Sequence, residues 1–221
     1  MNETVISVRG EFCAHYPAEQ AAVQVDIAFD GEDRDVVFDA AVTTTNSVRE
    51  SITALHDPVA GPVVSWSADG VSVWSERPWN SEGRRLPPVI HSRIGVYARF
   101  SDFAVLSTWI EEVVAFDGVT IADVVWSLTA ARLTAATTEV RSRAVKDAVS
   151  KAAVYAQSIG LGSVRAVALA DPGMLGEQGG GALEQRHTPM SAMRSVGAAE
   201  LSLKPRQIEV SAAVDGRFVA F

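Results

Sequence analysis

Two periods of apolar side chains divide the chain. Between residues 20 and 30 the pattern alternates, with Ala21, Val23, Val25, Ile27 and Phe29 on one face and Gln24 and Asp26 on the other, the repeat of a strand with one buried side. Residues 4–12 alternate in the same way, and Tyr16-Pro17 supplies a turn, so the two segments predict a strand pair. From Asp33 the period becomes three to four, through Val37, Ala41, Thr44, Val48, Ile52 and Leu55, with Asp33 and Asp35 where a helix N-terminus favours negative charge. This predicts a helix over 33–56, stopped by Asp57-Pro58.

Two short apolar runs follow, Val63 to Trp66 and Val71 to Trp74, separated by Asp69-Gly70, and together they predict a hairpin. Residues 76–88 are rich in proline, glycine and arginine and read as an exposed loop. Residues 89–100 form the next strand, with Ile94, Val96, Ala98 and Phe100 opposing Arg93 and Arg99. Ser101 is placed to cap a helix carrying Leu106, Ile110, Val113 and Val114. Residues 119–130 alternate again. The clearest helix spans 134–160, with Glu139 to Arg143 and Asp147 to Lys151 as favourable four-residue pairs and Gly160 at its C-terminus. Strands at 164–170 and 207–218 close the pattern, and the glycines and small residues of 172–204 read as a mobile loop.

This order predicts an α+β fold with two long helices: two interleaved two-layer α/β sandwiches with mostly antiparallel sheets. The expected division is a discontinuous layer of 1–62 plus 131–221, holding strands 4–12, 20–30, 164–170 and 207–218 and helices 33–56 and 134–160, around an inserted β-β-α-β layer at 63–130. A doubly wound nucleotide-binding domain would require repeated β-α-β units, which the pattern lacks.

Composition narrows the function classes. The 221 residues carry 19 Lys plus Arg against 27 Asp plus Glu, a net charge of −8, with mean hydropathy +0.13 and pI near 5.0. An acidic chain opposes general nucleic-acid affinity, so no nucleic-acid partner is expected. No apolar run is long enough for a membrane span, and the opening residues do not read as a signal peptide, which sets a cytoplasmic location as the expectation. The single cysteine, Cys13, excludes an internal disulfide and reads as a buried, inert thiol.

The order and several motifs resemble the SIMPL-domain family, a bacterial group often described as periplasmic immunogenic or oxidative-stress-related. The resemblance covers nearly the whole chain. It lies in the opening strand Ile6-Ser7-Val8-Arg9-Gly10, in the helix from Arg141 to Ala152, in Gly160-Leu161-Gly162-Ser163-Val164, in Pro189-Met190 and in the closing strand Ile208 to Val214. It implies a two-layer α+β fold, self-association, a link to stress response and no catalytic residue to carry over. Family members are often exported.

His15, His56, His91 and His187 fall in separate segments without ligand spacing, so no metal or other cofactor is expected. The glycines at 179–181 lack the lysine of a phosphate loop, and no ordered Ser, His and carboxylate set supports a triad. The pairs Glu111-Glu112 and Asp33 with Asp35 read as solvated surface or helix-dipole partners. No catalytic site is assigned, and the chain reads as more suited to binding than to catalysis. The strongest candidate is an interface formed by Trp66, Trp74 and Trp79 beside Arg84 and Arg85, because such aromatic and arginine clusters are enriched where proteins meet. Trp109 and Trp126 are assigned to the core. The expected function is a non-catalytic, self-associating scaffold or binding protein, with a homo-oligomer or another protein as partner. The alternative is a small-molecule binder or enzyme with a site between the two layers, using Arg93, Arg99 or His91 on an anion.

Overall fold

Alternating segments become strands and three-to-four-periodic segments become helices throughout the computed structural model, which describes residues 3–79, 86–175 and 203–221. The elements are β1 (Thr4–Pro17), β2 (Gln20–Gly31), α1 (Arg34–Leu55), β3 (Val63–Ala68), β4 (Ser72–Glu76), β5 (Val89–Phe100), α2 (Phe103–Val114), β6 (Val119–Ser127), α3 (Ala130–Ser158), β7 (Val164–Ala170) and β8 (Gln207–Ala220). They form an α+β fold with one sheet of order β1-β8-β7 and a second of order β3-β5-β2-β6, in which β4 also pairs with β5. No described helix is long and apolar enough to cross a membrane. The helix starts are capped as their sequences dictate: the Asp33 carboxylate accepts from the amides of Asp35 and Val36, and Thr129 accepts from Arg132. At α2 the cap is Asp102 and not Ser101; its carboxylate reaches two amides, those of Ala104 and Val105, while Ser101 Oγ donates to the Gly61 carbonyl.

The chain divides into two units. One comprises, among described residues, 17–79, 86–128 and 203–206. In it β2 runs antiparallel to β5 from the Ala21/Phe100 pair to the Gly31/Ile90 pair, and its other side pairs with β6, with a register shift between Gln24 and Val25. α1 and α2 bury Val48, Ile52, Leu106, Trp109 and Ile110 against Val23, Val25, Ile27, Val96 and Phe100 of the sheet. Apolar burial supplies the driving force there, and polar groups caught in the layer are satisfied: Trp109 Nε1 donates to Ser51 Oγ at 2.9 Å, and buried Ser92 reaches the carbonyls of Phe29 and Val37. Trp109 is therefore core, and Trp126 is partly buried against the same cluster with its ring edge-on to Phe103.

Three expectations are corrected here. Residues 4–12 and 20–30 do not pair: β1 belongs to the three-stranded sheet and β2 to the other, because alternation reports a buried face and carries no information about the neighbouring strand. It follows that β2, with α1 packed on it, joins the segment expected as an insertion, and the expected boundaries at 62/63 and 130/131 do not match the two units. Residues 63–74 are also not a hairpin. β3 pairs with Phe100 to Val96 and β4 with Arg93 to Val89, so the two lie end to end along the same side of β5. Asp69-Gly70 is a break in a split edge strand.

The other unit comprises, among described residues, 3–16, 129–175 and 207–221. α3 presents a stripe of Ala136, Val140, Ala144, Ala148, Ala152 and Ala156, all buried. Small side chains let the helix lie close to the sheet, and Gly10 completes the approach: a Cβ there would stand 2.1 Å from the Ala144 carbonyl oxygen and 2.6 Å from the Ala148 nitrogen. Ile6, Phe218 and Ala220 fill the same layer. The edge of β1 is covered by polar groups of α3. Asp147 accepts from the Glu11 amide at 2.9 Å and Lys151 donates to the Arg9 carbonyl at 3.0 Å, while the two side chains pair at 2.7 Å. This is how an edge strand is kept from pairing with another chain. On the opposite face Arg9 grips Asp215 through two nitrogens, and Asp215 also accepts from the Gly173 amide at 2.8 Å. The expected loop 172–204 lies outside the described residues except at its two ends, where Gly173 makes this contact and Leu203 packs on the larger core.

Gly10→Ala should destabilise the protein by about 3 kcal/mol, the upper end of overpacking, because the obstruction is helix backbone and cannot rotate away; chemical denaturation of both proteins measures it. Asp147 and Asp215 have pKa values held below the ordinary carboxylate range, chiefly by the Lys151 and Arg9 hydrogen bonds. A depressed folded pKa adds stability that is present above the unfolded value, about 3.9, and lost as pH falls through the folded value. The melting temperature should therefore drop below about pH 4, and Asp215→Asn, less stable than wild type at neutral pH, should converge on it in acid.

Candidate functional site

The β2–β5 ladder sends alternate side chains to opposite faces of the larger sheet. Ile94, Val96, Ala98 and Phe100 point to the helices, so His91, Arg93, Tyr97 and Arg99 share the other, open face. Their partners across β2 are Asp30, Ala28, Gln24 and Ala22. Asp123 of β6 lies opposite Gln24 on the same face, and the cross-strand partners on the other side are Ser65 and Ser67 of β3 and Ser72 and Trp74 of β4.

The split edge strand decides where the tryptophans go. Trp66 opposes Ala98, whereas Trp74 opposes His91. The stretch 69–71 spans only Ile94 and Gly95 of β5, one residue more than a regular ladder allows, and the extra residue exchanges the faces of the two segments. Trp66 is thus half-buried against the core, and Trp74 stands on the open face, 45% exposed, with its ring stacked on His91 at 5.5 Å. Trp79, beyond the end of β4, is 87% exposed. Of the expected interface residues the structure brings Trp74 and Trp79 to one exposed edge and turns Trp66 inward; Arg84 and Arg85 lie outside the described residues.

The open face carries two adjoining grooves. One of about 340 Å³ is lined by Gln24, Ser65, Ser67, Tyr97, Arg99 and Asp123 among others, and the second, also about 340 Å³, by Asp26, Asp69, Ser72, Trp74, Arg93 and Gly95, with Gln24 and Tyr97 common to both. Most of the chemistry in the second groove is committed internally. Arg93 pairs with Asp26, and Gln24 Nε2 donates to the same carboxylate at 3.3 Å. The Asp69 carboxylate, by its charge and its hydrogen bond, pushes the Tyr97 phenol pKa up, with partial desolvation adding to the shift. Gly95 makes room for this: a Cβ there would meet Asp69 Oδ2 at 2.7 Å. Arg99 is different, being exposed and without an ion-pair partner among the described residues. The face can therefore hold a flat or anionic group between aromatic rings, serine hydroxyls and one uncommitted guanidinium.

Sequence reasoning singled out Arg93, Arg99 and His91 and missed Tyr97, Gln24, Asp26 and Asp69. The alternation of residues 89–100 already puts Tyr97 beside Arg93 and Arg99, and that signal was available. The others depend on register. The thiol of Cys13, expected to be buried, is exposed, because β1 continues to Pro17 and odd-numbered residues face outward along its length.

A family model, SIMPL, with the description "Protein of unknown function (DUF541)", matches residues 6–218. No curated protein matches the chain.

Proposed function

The chain belongs to the SIMPL family, whose function is unknown, and we propose that it is a non-catalytic binding protein that self-associates through the edge carrying Trp74 and Trp79. The observation that carries the reading is the placement of two exposed tryptophans at the end of an edge strand, one stacked on a histidine and the other almost fully in solvent. Large aromatic groups left in water at a sheet edge gain most when a second protein covers them. The committed pair Asp26–Arg93 supports binding over catalysis, since the two charges are held by one another. The occupant favoured is a second copy, whose acidic surface, from a net charge of −8, would meet the basic group that Arg93 places in the same groove as Trp74.

Light scattering over a range of concentrations should show a reversible oligomer, and Trp79→Ala combined with Trp74→Ala should weaken association by at least about thirtyfold, as expected for interface anchors worth roughly 2 kcal/mol or more. A wild-type protein that remains monomeric at high concentration would overturn the reading.

A second reading rests on Arg99 in its groove: the open face binds a small planar anion. A thermal-shift screen of aromatic carboxylates and phosphates should then raise the melting temperature of wild type and leave Arg99→Ala unmoved; no shift with any of them defeats it.

A further inference from the structure

The outward face of the three-stranded sheet holds a group of side chains that the tryptophan edge does not involve. Cys13 and His15, two residues apart, project from the same side of β1, and Glu209 projects from the neighbouring strand β8. One ligand atom from each lies within 4.8 Å of the other two, and all three residues are exposed. His15 Nε2 stands 3.6 Å from Glu209 Oε2. Among the described residues this is the one group of three such ligands.

We propose that Cys13, His15 and Glu209 form a surface site for a zinc-class divalent cation. Three features of the structure argue for it. The spacing is close to what the metal needs: with bonds of about 2.3 Å to sulfur and 2.0–2.1 Å to nitrogen or oxygen, tetrahedral ligand atoms stand roughly 3.3–3.6 Å apart. The His15–Glu209 separation already meets this, and rotation of the exposed Cys13 side chain closes the rest. The ligand backbones sit on two hydrogen-bonded strands and not on a loop, so little order has to be gained on binding. The donor set of one sulfur, one imidazole nitrogen and one carboxylate oxygen is borderline-soft, which selects zinc or cobalt and rejects magnesium and calcium.

Binding exchanges a proton for the metal. The Cys13 S–H bond breaks, its proton passes to solvent, and the sulfur lone pair binds the cation; His15 binds as the neutral imidazole and Glu209 as the carboxylate. Three protein ligands leave the fourth tetrahedral position to water. A concavity of about 380 Å³ beside Cys13, lined by Glu11, Phe12, Ser211 and Ala213, leaves room on that side. Cys13 is the only cysteine in the chain, so its state can be read without interference.

The test uses the full chain kept reduced. Calorimetric titration with zinc should give one site per chain, lost or weakened by about tenfold or more in each of Cys13→Ser, His15→Gln and Glu209→Gln and unchanged in His91→Gln. Cobalt should give the near-ultraviolet thiolate-to-metal band in wild type and not in Cys13→Ser. Zinc should slow alkylation of Cys13, and magnesium should not. All three ligands are exposed, so the variants should keep the wild-type melting temperature, which is measured alongside. Absence of zinc binding, binding indifferent to Cys13→Ser or His15→Gln, or alkylation equally fast with and without zinc would each overturn the proposal.

Discussion

The register of β2 against β5 is the constraint on which the larger unit depends. Eleven consecutive residue pairs, from Ala21/Phe100 to Gly31/Ile90, fix which side chains meet α1 and α2 and which meet solvent. A slip of one residue would send Val23, Val25 and Ile27 outward and bring Gln24 and Asp26 into the apolar layer, where unpaired polar groups are costly. The open face inherits its content from that register. Arg93, Tyr97 and Arg99 stand together there because Ile94, Val96, Ala98 and Phe100 are held inside.

The smaller unit solves a different problem. A sheet of three strands covered by one helix has little volume to fill, and the chain fills it by bringing the helix close, with an alanine stripe on α3 and Gly10 on β1. The approach brings Asp147 and Lys151 within reach of the unpaired edge of β1, so the packing that forms the core also shields the edge. The far face of the same sheet is left free of packing demands. Polar side chains of any kind are tolerated there, and Arg9 with Asp215, and Cys13 with His15 and Glu209, are what the sequence places on it.

Much of this was legible beforehand. The periods gave the strands at 20–30 and 89–100 and the helices at 33–56 and 134–160, with α3 starting four residues earlier, at Ala130. The family resemblance rested on motifs that, among the described residues, all lie in the smaller unit, and it agrees with the match over residues 6–218. Three of the failures share one cause. The strand pair, the hairpin and the face of Trp66 were inferred from proximity in sequence, and each is settled by which strand supplies the neighbouring hydrogen bonds. Asp69-Gly70 has the composition of a hairpin turn, yet β5 offers a side long enough for both β3 and β4, so the dipeptide became a break in one edge.

The sequence by itself determined where the strands and helices lie, which face of each is apolar, and the family. These are local quantities, set by side-chain period, capping and turn chemistry within a few residues. The tertiary structure decided which strands adjoin, and with that which polar residues meet. His15 and Glu209 are 194 positions apart, and Asp26 and Arg93 are 67 apart; no spacing rule links either pair. They come within reach because each sheet is covered by its own helices on its apolar face, and the polar residues on the outward faces are carried into contact by a register chosen for the core.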